Sequence, residues 1–476
     1  MSTDPHLAPV TDPDVLAGYL TDASNVHGHA EGLFRPRTTD EVAAIVARAQ
    51  ALGIPLTVTA GRTSTTAAAV PEGGWLLSTE HLNAVHDIGH DTATAGAGIL
   101  LGAFQDAIEA EGRFYPPDPT SRYDCTLGAS IACNASGARS FRYGATRPWV
   151  EALTVVLPDG TVHHVRRGDP LPPDWPVPAW REPDVKTAAG YPPPDDLLDV
   201  FVGQEGTLGV ITEATVRLTD LPEEVFGVLA FFPDRPSAVA FMTAARAEAR
   251  RDPAAPVSPR CLEYLDHHCL ELARQRVGSV PEGARAALFC EQEVAQGQDA
   301  DDHLGAWWEL LSAHGALADD TIVAVDEHGQ AELHALRHAI PAGVNEQVIA
   351  NGMRKVGTDL SVPDDALESM MDAYEAVDLE HVLFGHLGDN HLHLNFLPKT
   401  PTELEHAKSL YDALARKAVA LGGSVSAEHG IGKLKRTHLA WMVGDEVLAS
   451  FVALKRHLDP AWVLGRGNII PAPTGS

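Results

Sequence analysis

The chain is short of several things at once, and each shortage removes a class of function. Its 476 residues carry 35 Lys and Arg against 65 Asp and Glu, a formal charge of −30. Gripping a phosphate backbone takes a basic footprint, so no nucleic acid is expected as a partner. An anionic small molecule would meet long-range repulsion and needs a locally positive pocket. The five cysteines (125, 133, 261, 269 and 290) are odd in number and show no CxxC spacing. That fits a reduced compartment and leaves disulfide or iron–sulfur chemistry to a partner. No apolar run approaches the length of a membrane helix. The opening MSTDPHLAPVTDPD lacks the basic and apolar regions of a secretory leader. A cytoplasmic protein is therefore expected, with peripheral contact at the inner face of the membrane left open. A GxGxxG run is missing too, so a conventional Rossmann dinucleotide site is not supported.

With 45% hydrophobic and 21% charged residues, the chain has an ordinary globular balance and is long enough for two or three domains. Helical periodicity at 40–53 leads into a strand, PLTVTA, and a small-residue loop, GRTSTTAAAVP. Two alternating apolar runs in VEALTVVLPDGTVHHV (150–165) flank a DG turn and predict a hairpin, and GTLGVITEATVRL (206–218) predicts another strand. The proline-rich stretch 166–200 reads as an irregular surface excursion. From about 221, helical stretches (236–251, 262–275, 301–315 and 402–422) alternate with strand-like VFGVLAFF and ARAALFCEQEV. The end, DEVLASFVALKRHLDPAWVLGRGNIIP, reads as a helix, a turn and an extended tail.

Chemistry concentrates in HVLFGHLGDNHLHLN (381–395), with four histidines in thirteen positions, and in AEHGIG (427–432). On a strand His391, His393 and Asn395 share one face, while Leu392, Leu394 and Phe396 occupy the other and face a core. His386 lies across the Gly388-Asp389-Asn390 turn. His386, His393 and Glu428 make two imidazoles and a carboxylate, a set that suits a divalent cation such as zinc with positions left open for substrate. His429 would sit beside the metal as a base. The small residues of 60–69, and of TLGASIACNASGARSFRYG at 126–144, let backbone approach a diphosphate closely.

In these motifs the chain resembles the flavin-dependent family of vanillyl-alcohol-oxidase (PCMH-type) fold, in its D-lactate, glycolate and D-2-hydroxyglutarate dehydrogenase branch. PLTVTAGRTSTTAAAVP, PPDPTSRYDCTLGASIACNASGARSFRYG and VGQEGTLGVITEA resemble the family's flavin loops. GHLGDNHLHLN, SAEHGIG and LDPAWVLGRGN resemble its substrate-domain and C-terminal signatures. The resemblance implies an α+β protein in three stretches. These are a PCMH-type FAD-binding domain (1–220), a substrate or cap domain with an antiparallel sheet (221–430), and a C-terminal helical segment returning to the flavin domain (431–476). It implies FAD contacts at Thr59, Ala60, Gly61, Arg62, Thr63, Thr66, Pro117, Asp118, Thr126, Gly128, Ser130, Asn134, Gly137, Glu205, Gly209 and Ile211. No histidine or cysteine stands at the usual attachment point, Thr63, so non-covalent FAD is expected.

His386, His393 and Glu428 match the family's metal ligands, His429 its base, Asn395 a substrate contact and Arg337 the arginine that grips the substrate carboxylate. The implied activity is oxidation of a D-2-hydroxy acid to the 2-oxo acid. Electrons would leave to a separate acceptor: a quinone, a cytochrome, an electron-transfer flavoprotein or an iron–sulfur partner. Rival readings are an oxidase or dehydrogenase of another alcohol or sugar acid, and a degenerate flavin-binding protein without turnover. A homodimer stays open.

The departures from the family are specific. Ala60, Arg62, Ser64, Ala67 and Ala68 stand where glycine is usual, and Arg62 either pairs with the diphosphate or faces solvent. The family's GDGN becomes GDNH, with Asn390 able to take the left-handed turn and His391 adding an imidazole. Pro341 and Gly357 replace the threonine and lysine expected to contact a second carboxylate, which favours a monocarboxylate of lactate type; Lys355 is placed to project from the face of Gly357.

Overall fold

The computed structural model describes residues 8–277, 280–294 and 297–473, without the side chains of 277, 327, 328, 332 and 334–338. The chain divides into two units. Residues up to Gly137, Ala145–Leu221 and Val425 onward form the first, and Ala138–Gly144 with Pro222–Ser424 form the second. The chain thus re-enters the first unit at Val425, ahead of residue 430, and carries Glu428 and His429 with it.

The first unit opens with a small parallel sheet in which β3 (Trp75–Ser78) lies between β1 (Gly32–Phe34) and β2 (Leu56–Thr59). The helix Thr39–Leu52 joins β1 to β2. Thr38 caps its start by accepting from Glu41 N–H at 3.2 Å, and Gly53 ends it in the left-handed conformation at φ 64°. Val42, Ile45, Val46 and Ala49 recur at helical spacing and are buried in one cluster with Phe34, Leu56 and Leu77. An antiparallel sheet follows, in the order β4 (Val85–Ile88), β5 (Thr92–Gly96), β9 (Val210–Arg217), β7 (Val150–Val156), β8 (Val162–Arg166). A short pair of β6 (Arg113–Phe114) with β10 (Thr219–Asp220) accompanies it. The expected DG hairpin is β7–β8, with Gly160 at φ 86°.

The C-terminal stretch closes this unit. Leu56 N–H donates to Val463 carbonyl at 2.7 Å, and Val463 and Leu464 join the helix–sheet core. The buried Lys455 ammonium donates to Thr207 O (2.6 Å), Leu464 O (2.8 Å) and Asp459 Oδ2 (2.5 Å). Asp459 in turn accepts from the amides of Val463 and Leu464. The helix Arg436–Leu458 is broken at Gly444, whose φ of 75° and ψ of 171° are not helical.

The second unit is one sheet in the order β14 (Ile322–Ala324), β11 (Glu224–Phe232), β13 (Ala286–Val294), β12 (Pro259–Asp266), β17 (His381–His386), β18 (His391–Phe396), β15 (Val356–Gly357). A further short strand, β16 (Leu360–Ser361), also pairs with β18. The pairs are antiparallel throughout. Its core gathers Leu229, Phe231, Cys261, Leu265, Phe289 and Val382 with side chains of the flanking helices. Among the described residues no helix is long and apolar enough to cross a membrane.

Two local expectations need correcting. The segment 262–275 is not one helix: β12 runs to Asp266, which then caps the helix His267–Val277 by accepting from Cys269 N–H at 2.8 Å. The stretch 166–200 is irregular after β8, as expected, and lies mostly at the surface as far as residue 187, but its last part is not a surface excursion. Ala188, Ala189, Tyr191, Leu198, Val200 and Phe201 are buried, and Tyr191 shares a 2.7 Å hydroxyl hydrogen bond with Thr207. Proline content reports backbone irregularity and says nothing about burial.

Candidate functional site

In the first unit the sequence-predicted cofactor residues lie on three segments that meet: the end of β2 and the loop after it, the stretch around the helix Leu127–Ala132, and the turn that enters β9. A Cβ on Gly61 would stand 2.0 Å from Asp124 O, one on Gly137 1.7 Å from Asp118 O, and one on Gly128 2.5 Å from Ala97 Cβ. Each glycine therefore permits a backbone approach that any side chain would block. Glu205 N–H donates to Ala132 O at 2.8 Å, joining the third loop to the second. Several predicted side chains are occupied locally. Thr126 caps the helix Leu127–Ala132, Ser130 Oγ donates to Leu127 O, and Asn134 Oδ1 accepts from Arg147 N–H. Pro117 O accepts from Gln105, Asp118 pairs with Arg122 at 3.4 Å, and Ile211 lies buried in β9. Gly209 fits under Val155, where a Cβ would come within 2.5 Å. The Arg62 guanidinium lies over the Tyr19 ring at 4.7 Å and donates to Ala60 O.

The turn carrying Glu428 and His429 is built from the same loops. Glu205, itself left-handed at φ 52°, accepts from Ile431 N–H (2.7 Å) and Gly432 N–H (2.6 Å) with its two carboxylate oxygens. Burial pushes its pKa up to about 7, against the opposing pull of those two amides and of Lys435 and Lys433. Thr66 O accepts from Lys433 N–H at 2.9 Å, and a Cβ on Gly432 would stand 2.2 Å from that same oxygen. Glu428 Oε2 lies 3.1 Å from Lys186 Nζ and accepts from Ser136 at 3.4 Å, while His429 Nε2 is 3.5 Å from Glu428 Oε1. Lys186 was missed from sequence because it sits in the proline-rich stretch. A lone lysine between apolar neighbours in VKTAAGY was the available signal.

In the second unit β17 and β18 form the histidine hairpin, with His386 opposite His391 and Asn390 left-handed at φ 51°. The alternation holds, since Leu392, Leu394 and Phe396 are fully buried on the opposite face from His391, His393 and Asn395. The ring centroids of His386, His391 and His393 lie 4.4–5.7 Å apart. Each imidazole has an oxygen behind it. His393 Nδ1 hydrogen-bonds to Thr358 O at 3.2 Å, His386 Nδ1 lies 2.7 Å from Glu263, and His391 Nε2 lies 2.9 Å from Asp359, a pair without solvent exposure. Such backing fixes ring orientation, as it does for metal-bound imidazoles. Asn395 Nδ2 donates to His393 O, and Gly357 pairs opposite Asn395, where a Cβ would stand 3.1 Å from Asn395 Oδ1. Lys355, just before β15, is exposed, yet desolvation around its ammonium lowers its pKa. Pro341 is exposed within the helix Glu327–Asn351. The Arg337 side chain lies outside the described residues.

A family model described as FAD linked oxidases, C-terminal domain, matches residues 221–469, and one described as FAD binding domain matches residues 30–166. The chain belongs to the FAD-linked oxidase family. Among similar proteins is a D-2-hydroxyglutarate dehydrogenase of Xanthomonas citri pv. viticola, 31% identical over 92% of this chain and 89% of that protein. The glycolate oxidase subunit GlcD of Bacillus subtilis is 29% identical over 92% and 88%, and a D-lactate dehydrogenase of Anaerostipes hadrus 28% over 96% and 93%. A solved alkyldihydroxyacetonephosphate synthase superposes with a TM-score of 0.66 at 17% identity, covering 92% of this chain and 76% of that one. That likeness speaks for the α+β fold of FAD-linked oxidases alone. The first unit fits the family's cofactor: its small-residue loops leave backbone close to backbone, and the buried Thr59 Oγ1 has no hydrogen-bond partner among the described residues.

Proposed function

We propose that the protein oxidises a D-2-hydroxy acid to the 2-oxo acid, with non-covalent FAD and a divalent cation, and that it favours a monocarboxylate of lactate size or longer. The observation that carries the reading is the backed imidazole row of the second unit. His386, His391 and His393 face one another with carboxylate or carbonyl oxygens behind them, an arrangement that metal-binding histidines adopt and core histidines do not need. Bound FAD and a zinc-like cation would supply what side chains lack, a hydride acceptor and a Lewis acid at the substrate oxygen.

The chain's residues divide the remaining work. Thr59–Thr63, Thr66, Pro117, Asp118, Thr126, Gly128, Ser130, Asn134, Gly137, Glu205, Gly209 and Ile211 shape the flavin loops. Glu205 and Thr66 do so by holding the EHGIG turn. His386 and His393 are the imidazole ligands. Glu428 joins as the carboxylate ligand and His429 as the base that takes the hydroxyl proton, both on the strength of the SAEHGIG signature. Arg337 grips the substrate carboxylate and Asn395 positions it. Gly357 opposite Asn395 and Pro341 in its helix offer no side-chain donor to a second carboxylate, which supports the monocarboxylate, with Lys355 standing two residues before Gly357. Electrons then leave to a separate acceptor, since four of the five cysteines are buried and all five are free.

The test is substrate-induced bleaching of the flavin. D-Lactate and D-2-hydroxybutyrate should reduce it faster than D-2-hydroxyglutarate, and acid precipitation should release the FAD. Faster reduction by the dicarboxylate overturns the substrate choice and points to Lys355. Absence of bleaching by any 2-hydroxy acid overturns the activity.

A further inference from the structure

A second group of metal-ligating side chains stands away from the histidine hairpin's turn, where β12 leaves the sheet and β17 enters it. The two strands are antiparallel neighbours with Leu265 opposite Phe384, so the exit residues Asp266 and His268 meet the entry residue His381. Asp266, His268 and His381 each bring one ligand atom within 4.8 Å of the others. Their packing predisposes them. His381 Nδ1 hydrogen-bonds to Leu379 O at 2.8 Å, which fixes the ring and leaves Nε2 as the outward donor, the arrangement of metal-bound imidazoles. His268 is held between two other rings, with His267 at 3.8 Å and His381 edge-on at 5.1 Å between centroids. Asp266 is buried and spends one oxygen on Cys269 N–H, an anchor that keeps the carboxylate in place. Both imidazole ligands are half-buried, so an ion has access from solvent.

We propose that Asp266, His268 and His381 form a second divalent-cation site, selective for borderline ions such as Zn²⁺, Ni²⁺ or Co²⁺ and separate from the imidazole row of the proposed catalytic centre. Two imidazoles and a carboxylate are a set that these ions accept and that hard ions such as Mg²⁺ do not seek. Metal bonds of about 2.0–2.2 Å set tetrahedral donors roughly 3.3–3.6 Å apart. The ligand atoms lie no more than 4.8 Å apart, so closing on an ion asks for side-chain rotation and not for movement of the strands. Glu380 adjoins His381 but is ion-paired with Lys399, so the site's charge comes from Asp266. Occupancy would tie the start of the helix His267–Val277 to the first residue of β17, which makes the site a structural staple whose occupancy catalysis does not require.

The experiment is metal stoichiometry on the full-length flavoprotein, stripped with chelator, dialysed against Zn²⁺ and analysed for metal per chain. Co²⁺ substitution gives a second, spectroscopic readout. Wild type should bind one Zn²⁺ more than Asp266→Asn or His381→Gln, and each variant should keep its flavin and its substrate bleaching. Asp266→Asn retains the oxygen that accepts from Cys269 N–H, so its fold is protected. His386→Asn should still bind at this site while losing bleaching, which separates failure of this proposal from failure of the catalytic one. Equal stoichiometry in wild type, Asp266→Asn and His381→Gln, with identical Co²⁺ spectra, overturns it.

Discussion

Replacing Glu205 by Gln tests whether the flavin loops hold the EHGIG turn by a single carboxylate. Both oxygens of Glu205 are acceptors, one for Ile431 N–H and one for Gly432 N–H, and the side chain is 5% exposed. A glutamine offers one oxygen, so its NH₂ must confront one of the two amides. A buried donor left without its acceptor costs about 1–3 kcal/mol, and a bond to a charged acceptor is worth about 1.5–3. We therefore expect roughly 2 kcal/mol of local destabilisation at pH 8, or about thirtyfold faster exchange of the Ile431 and Gly432 amides by local opening. The measurement is hydrogen exchange of peptides spanning 425–435. The pH dependence has a definite sign. Glu205 keeps its proton up to about 7 in the folded chain against an ordinary value of 4.5, so the stability linked to that proton is fully present below about 4.5 and is lost as pH rises through about 7, and at pH 8 the carboxylate acts through its two amide bonds alone. Glu205→Gln removes that slope. Unchanged exchange at both amides at pH 8, with the wild-type pH slope retained, refutes the anchor.

The other predictions are briefer. Lys455→Met leaves Asp459 buried without its ammonium and should cost about 3–5 kcal/mol, read as a lowered unfolding midpoint, while Asp459→Asn should cost less. Chelation, or Glu428→Gln, should abolish substrate reduction of the flavin while leaving FAD bound; a metal-free enzyme of full activity would remove the cation from the mechanism. Arg337→Ala should lower specificity by about thirtyfold or more, the equivalent of roughly 2 kcal/mol for an unpaired substrate carboxylate.

How much was legible in the sequence depended on the range of the interaction that decides each element. The hairpin was readable because its information is local: HLHLNF alternates with period two, and Asn390 can take the left-handed turn unaided. The helix Thr39–Leu52 was readable for the same reason, with cap, periodicity and glycine stop in one window. CLEYLD was misread because a short apolar run fits helix and strand alike, and what decides it is pairing with β13 and β17. The helix Glu327–Asn351 was hidden by Pro341 in its interior. Glu205 was placed among the cofactor residues by resemblance, but its partners lie 226 and 227 positions away, beyond any local pattern. Asp359 and Glu263, the carboxylates behind His391 and His386, were invisible for the same reason.

The glycine-poor first loop can be tested on its own terms. Arg62 and Ala67 stand where the resembled family has glycine, and both keep the left-handed backbone, at φ 56° and 62°. A residue with a Cβ there costs about 1–2 kcal/mol relative to the right-handed region. At Arg62 the strain is offset by the guanidinium lying over Tyr19 and by its bond to Ala60 O, an exchange worth about 0.5–1 kcal/mol for the ring and a similar amount for the bond. Arg62→Ala discards the compensation and keeps the strain; Arg62→Gly discards both. The glycine variant should therefore be more stable than the alanine variant by about 1 kcal/mol and close to wild type, the reverse of the order at an ordinary exposed position, where alanine wins. Thermal midpoints of the three proteins, with FAD saturating, give the comparison. If alanine proves equal to or better than glycine, the loop does not hold a left-handed residue at 62, and the argument that side-chain contacts replaced a glycine falls with it.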